Sequence, residues 1–249
     1  MMQDLKKLKA KARSAEQIAR TALSKVGVDK HYMKVFAIGF NKTATTSIHT
    51  LFGDLGYRAR YHGVAWRPKN AHRVHWKYQA FSDGTPEDFR KLDEKFPKSR
   101  FILNTRDPLE WLDSRYQHVM LKQENGRHSN PNWQPTPEAM EAWIIHRNRY
   151  HLEVLEYFAN RPNDLLIVNF IRDPMATERI ANFLGRSHDG EKPYTRSTQK
   201  TREKGHLKNA EVITSALRRL NVDEVEWNYD LYFPSLTDSN LPYDTSVLD

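Results

Sequence analysis

The sequence contains no cysteine among its 249 residues. That excludes a disulfide scaffold and any thiolate metal site, and it fits a reducing compartment, so a cytoplasmic protein is expected. No run approaches the roughly 20 apolar residues that a membrane-spanning helix needs. The N-terminus carries charge but no apolar core segment, so neither a secretory signal nor membrane insertion is expected. A surplus of acidic residues is missing too. Lys and Arg number 39 against 31 Asp and Glu, a formal net charge of +8. That imbalance favours a polyanionic or phosphate-bearing partner through electrostatic steering, and says nothing of fold. What is present is apolar material: 39% hydrophobic and 11% aromatic residues are too many for a disordered chain. At about 150 residues per domain the length allows one large domain or two small ones.

The pattern along the chain reads as a basic amphipathic helix followed by an α/β domain. Over residues 1–30, Leu5, Leu8, Ile18, Ala22, Leu23 and Val26 fall near helical spacing between lysines and arginines, and Gly27 offers a stop. This segment is expected to be a solvated helix, neither a membrane anchor nor a nucleic-acid arm. Lys34–Gly39, Arg100–Asn104 and Leu165–Val168 are short apolar runs of strand length. The spacing predicts helices over Thr45–Leu55, Glu87–Phe96, Arg106–Lys122, Pro137–Asn160, Asp173–Leu184 and Ala210–Leu220. Strands alternating with helices imply parallel βαβ units, hence three α/β/α layers on a mainly parallel sheet. Asn125–Pro137, rich in proline and polar residues, reads as a mobile loop or lid. Residues 31–249 show neither an internal repeat nor a linker, so a single α/β domain is expected there.

Two segments carry chemistry. The first is Gly39-Phe40-Asn41-Lys42-Thr43-Ala44-Thr45-Thr46-Ser47, delivered by a strand and leaving as a helix. Free backbone N–H groups and the positive end of the helix dipole suit a phosphate there. Lys42 adds a full charge, and Thr45, Thr46 and Ser47 add hydroxyls. The Gly-Lys-Ser/Thr ending of the nucleotide-kinase loop is absent. In the second segment, Arg106 stands at a strand end and Ser114 two helical turns later. At about 1.5 Å per residue the two reach the same anion, one with a planar fork and one with a short hydroxyl. A simpler alternative pairs Arg106 with Asp107 or Asp113 and leaves Ser114 on the surface.

Together these segments resemble the sulfotransferases that use 3′-phosphoadenosine 5′-phosphosulfate (PAPS). Lys42-Thr43-Ala44-Thr45-Thr46 looks like the motif that grips the 5′-phosphosulfate, closest to the Lys-Thr-Gly-Thr-Thr form of heparan sulfate N-sulfotransferases. Arg106 and Ser114 match the pair that grips the 3′-phosphate. Thr201-Arg202-Glu203-Lys204-Gly205-His206 resembles the Arg-Lys-Gly element that closes over it, with Glu203 interrupting the basic pair. The resemblance spans roughly residues 34–210 and implies a P-loop-like sulfotransferase fold. It places the donor on Asn41, Lys42, Thr43, Ala44, Thr45, Thr46, Ser47, Arg106, Ser114, Arg202 and Lys204, and implies 3′-phosphoadenosine 5′-phosphate as the product.

The implied chemistry is in-line sulfuryl transfer to an acceptor oxygen or nitrogen, with Lys42 stabilising the charge on the departing oxygen and no metal required. Asp83 stands where one branch of the family carries its base; a turn or cap aspartate is the alternative, and His62 and His75 are in reserve. The family's adenine-stacking tryptophan is replaced by Ser47, and a common loop glycine by Ala44, which is expected to shift the loop slightly. The loop and lid favour a polar, carbohydrate-like acceptor. Two other readings compete: a kinase with an atypical phosphate loop, and a non-catalytic polyanion-binding module.

Overall fold

The computed structural model describes residues 33–61, 74–75, 77–86, 88–126, 136–188, 193, 207–236, 241–243 and 248. The N-terminal helix expected over 1–30 and most of the lid lie outside these residues, as do His62, Arg202 and Lys204. The described strands are β1 (Val35–Ala37), β2 (Ala59–Tyr61), β3 (Ala80–Ser82), β4 (Arg100–Asn104) and β5 (Leu165–Val168). The helices are α1 (Thr45–Asp54), α2 (Phe89–Lys95), α3 (Pro108–Glu124), α4 (Pro137–Phe158), α5 (Ala176–Phe183) and α6 (Ala210–Arg219). The strands form one parallel sheet in the order β2-β3-β1-β4-β5, so the α/β expectation holds. Val35 pairs with Ala80 on one side and with Arg100 on the other.

Parallel neighbours cannot be joined by a hairpin, and among the described residues the β1–β2 connection carries α1, the β3–β4 connection α2 and the β4–β5 connection α3 and α4. The connection leaving β1 goes toward β2, while the one leaving β4 goes toward β5. Adjacent strands that send their chains to opposite sides make a switch point, and ligands of open α/β sheets bind beyond the carboxyl ends of the strands there.

Local chemistry sets the helix ends. Asp107 caps α3 by accepting from the Glu110 N–H at 2.9 Å, with Pro108 in the first turn, where no amide is needed. Thr136 caps α4, followed by Pro137 in the same way. Gly56 and Gly185 adopt positive φ just past α1 and α5, the conformation that ends a helix at least cost to glycine. α5 begins three residues later than its periodicity suggests. Asp173 accepts from the Met175 N–H at 2.8 Å, an Asx turn that competes with the first helical turn.

The described residues gather into two compact units. The first holds β1–β3, β4 through Leu103, α1, α2, and α5 from Thr177. Its centre is aromatic: Phe36 stacks on Phe81 at 5.1 Å and on Phe101 at 5.4 Å. His75 stands edge-on to Phe36, Phe81 and Phe96. The buried Lys34 ammonium donates to the carbonyls of His75 and Tyr78. The second unit holds the Phe40–Ala44 loop, Asn104–Ala176 and the chain from Arg196 on. There Trp111, Leu112, Met140, Trp143 and Ile144 of α3 and α4 pack with Ile213 and Leu217 of α6.

Candidate active site

The loop after β1 has an unusual backbone for its composition. Lys42 has φ 73° and Ala44 φ 66°, both in the left-handed region that non-glycine residues avoid. Ala44 thus stands in a conformation that favours glycine. Left-handed residues flank Thr43 on both sides, the kind of turn in which backbone N–H groups can face an anion.

Four side chains hold this backbone, all within the second unit. Thr43 is buried, and its hydroxyl donates to the Phe40 carbonyl. Asn104, the last residue of β4, donates to both the Thr43 hydroxyl and the Thr43 carbonyl. Arg106 Nη1 donates to the Lys42 carbonyl at 2.9 Å, and Trp111 Nε1 to the Asn41 carbonyl at 2.9 Å. Every donor here faces a backbone acceptor of the loop or the hydroxyl that braces it, which removes the freedom of the strained residues to relax.

Arg106 is 7% exposed, and its other face, Nε and Nη2, meets Glu110 Oε2 at 3.3 Å. The ion pair of Arg106 is thus with Glu110 rather than with the alternatives Asp107 or Asp113. Asp107 Oδ2 takes Arg172 Nη2 at 2.7 Å, and Asp113 accepts from Gln117 and Asn209. Burial raises Asp107 above the usual carboxylate range, opposed by the Glu110 amide and by Arg172. Beneath Arg106, the buried Arg147 donates to the Arg106 carbonyl at 3.1 Å and to the Asp230 carbonyl. Burial pulls Arg147 down to about 10, resisted by Asp230 and Asp107, so it stays charged at neutral pH. Ser114 lies half-buried on α3, one turn beyond Trp111.

The first unit contains the remaining described candidates. Thr45, Thr46 and Ser47 form the first turn of α1. Thr46 Oγ1 is 2.9 Å from the Tyr61 hydroxyl at the end of β2. Asp83 stands one residue past β3 with φ 105°, followed by Gly84 at φ 90°. It is not the cap of α2; Asp88 fills that place, accepting from the Arg90 N–H at 3.0 Å. His75 is 3% exposed inside the aromatic group and is packed as a core residue.

Asn104, Trp111 and His118 carry no role in the sequence reading. For Asn104 a signal existed: an amide closing the apolar run Arg100–Leu103 must find a partner once buried. Trp111 gave none, since its partner lies 70 residues away.

A family model described as a sulfotransferase domain matches residues 34–173, more than half of the chain, and takes in both the loop and α3. No curated protein sequence matches the chain.

Proposed function

The chain belongs to the sulfotransferase domain family, and from that premise we propose that it moves a sulfuryl group from PAPS to a hydroxyl or amine of a polar, carbohydrate-like acceptor. The supporting observation is the hydrogen bond from Arg106 to the Lys42 carbonyl. It couples the two cations that the motifs assign to opposite ends of the donor, the phosphosulfate and the 3′-phosphate. The donor set suits a multiply anionic nucleotide: one ammonium, one guanidinium, the amides of the loop and, on the first turn of α1, the amides and hydroxyls of a helix N-terminus.

When bound, the donor supplies an activated sulfuryl group whose S–O bond to the 5′-phosphate breaks as the acceptor's bond to sulfur forms. Lys42 then faces the negative charge gathering on the bridging oxygen, in a site organised before the charge appears. The amides of Lys42–Ala44, with Thr45, Thr46 and Ser47, hold the 5′-phosphate. Arg106 and Ser114 hold the 3′-phosphate, with Arg106 exchanging its Glu110 carboxylate for the ligand. Arg202 and Lys204 close over that phosphate. Asp83 takes the acceptor's proton; it stands past the carboxyl end of β3, in a backbone conformation whose strain is of the kind kept at functional sites.

Calorimetry with 3′-phosphoadenosine 5′-phosphate tests this directly. Saturable binding that needs no magnesium is expected, and Lys42→Ala is expected to cut sulfuryl transfer by about 10²–10³ while the fold persists. Absence of nucleotide binding by folded protein overturns the reading. Magnesium-dependent ATP binding would point to a kinase, and salt-sensitive binding indifferent to Lys42→Ala to a polyanion module.

A further inference from the structure

Two arginines converge on the turn between β4 and α3. Arg147 of α4 is buried, and its Nη2 donates to the Arg106 carbonyl at 3.1 Å. Arg172, past the end of β5, donates from Nη2 to Asp107 Oδ2 at 2.7 Å. The other oxygen of that carboxylate caps α3 through the Glu110 N–H. The peptide that follows Arg106 is therefore held at its carbonyl and at the next side chain.

Both arginines also meet Asp230. Its carbonyl accepts from Arg147 Nη2 at 2.6 Å, and its Oδ1 lies 3.7 Å from Arg172 Nη1. Its Oδ2 accepts from Asn169 Nδ2 at 2.9 Å. The circuit closes from Asp230 through Arg147, Arg106, Asp107 and Arg172 back to Asp230, all within the second unit. α4 anchors the segment that carries this aspartate. His151 Nδ1 bonds the Leu231 carbonyl, and Asn148 Oδ1 accepts from the Phe233 N–H at 2.6 Å. Asp230 lies beyond the residues that the family model matches.

A planar guanidinium delivers its geometry only from a fixed backbone, and Arg106 must stay on the Lys42 carbonyl while it exchanges Glu110 for a phosphate. We propose that Asp230 is a positioning residue of the donor site: through Arg147 and Arg172 it fixes the Arg106–Asp107 peptide, so that the Arg106 guanidinium is aimed before the nucleotide arrives. This rests on the donor reading above. Asp230→Asn keeps the side chain's size and the backbone carbonyl. It leaves Arg172 with one carboxylate in place of two, and so loosens the grip on Asp107.

The experiment is a double-mutant cycle on the full chain, read by calorimetry with 3′-phosphoadenosine 5′-phosphate. Its four proteins are wild type, Asp230→Asn, Arg106→Lys and the double variant. Arg106→Lys keeps the charge and loses the fork, so nothing remains for Asp230 to aim. Low ionic strength keeps the weaker complexes measurable. Asp230→Asn is expected to raise Kd by about 2–30-fold in the wild-type background, the range for residues that act on a site through a network. In the Arg106→Lys background its effect is expected to fall below about twofold. A merely structural role would lower affinity equally in both backgrounds. An unchanged Kd for Asp230→Asn, or equal losses in the two backgrounds, overturns the proposal and leaves the donor reading intact. No nucleotide binding by folded wild type overturns the donor reading, and the proposal with it. Should Asp230→Asn fail to fold, Arg172→Gln, at a side chain 46% exposed, takes its place in the cycle with the same expectations.

Discussion

The aromatic group around Phe36 and the clamp around the Phe40–Ala44 loop are two ways of fixing a backbone. Phe36, Phe81, Phe96, Phe101 and His75 fill space, and they work through area removed from water and through ring geometry. Thr43, Asn104, Arg106 and Trp111 instead place single hydrogen bonds on chosen atoms of a strained loop. Apolar packing tolerates exchange among residues of similar volume. A directed hydrogen bond in a buried setting does not, because loss of one partner leaves the other unsatisfied. Stability is therefore expected to concentrate in the first region and the geometry of anion binding in the second.

Substitution at Phe36 probes that division with the largest effect. The side chain is fully buried, so Phe36→Ala is expected to cost about 3–5 kcal/mol of folding stability. Thermal or denaturant unfolding measures it. Nucleotide affinity of the molecules that remain folded should match wild type. A loss of affinity as large as the loss of stability would show that the aromatic group also shapes the site, and the division would fail.

Asn104→Ala is the counterpart in the clamp, with a smaller effect on stability. It removes the donor to the Thr43 carbonyl and hydroxyl, both buried, at about 1–3 kcal/mol. Its larger consequence is expected in binding. A loop no longer held before the ligand arrives must be ordered on binding, and a tenfold rise in Kd corresponds to about 1.4 kcal/mol of lost preorganisation. Unfolding curves and nucleotide titrations on the same preparation separate the two. Unchanged affinity would mean that the remaining three contacts suffice.

The same contrast explains what the sequence disclosed. Apolar runs and periodicities announced β1, β4, β5 and the helices, because burial writes itself into local pattern. β2 and β3 went unread: each is three residues long, and Ala59-Arg60-Tyr61 is only half-buried, with a charge at its centre. Lys42, Arg106 and Ser114 were legible because residue type and spacing carry a motif. The clamp was not, since Asn104 and Arg106 reach back 61 and 64 residues to Thr43 and Lys42. Histidines show the limit most clearly. His75, chosen by position, is buried among phenylalanine rings, whereas His118, passed over, is half-buried on α3, where burial first and then Lys42, Lys122 and Arg115 lower it to about 4. Environment, not residue type, separates the two.

Ala44→Gly is the most delicate probe of the clamp. An L-residue in the left-handed conformation costs roughly 1–2 kcal/mol, and glycine removes that cost. Glycine also frees the unfolded chain, which returns about 0.4–1 kcal/mol of the gain. A net stabilisation of about 1 kcal/mol or less is therefore expected, visible as a small rise in unfolding temperature. Lys42 shares the conformation, but replacing it would remove a charge as well, so Ala44 isolates the backbone effect. The strain persists because Asn104, Arg106 and Trp111 fix the carbonyls of the three residues before Ala44. Once Asn104 is replaced by alanine, the loop can relax by itself, and the gain from Ala44→Gly should shrink in that background. Such non-additivity is expected of residues that share one hydrogen-bonded unit. Equal gains in both backgrounds would mean that the left-handed turn belongs to the loop's own sequence and that the clamp merely follows it.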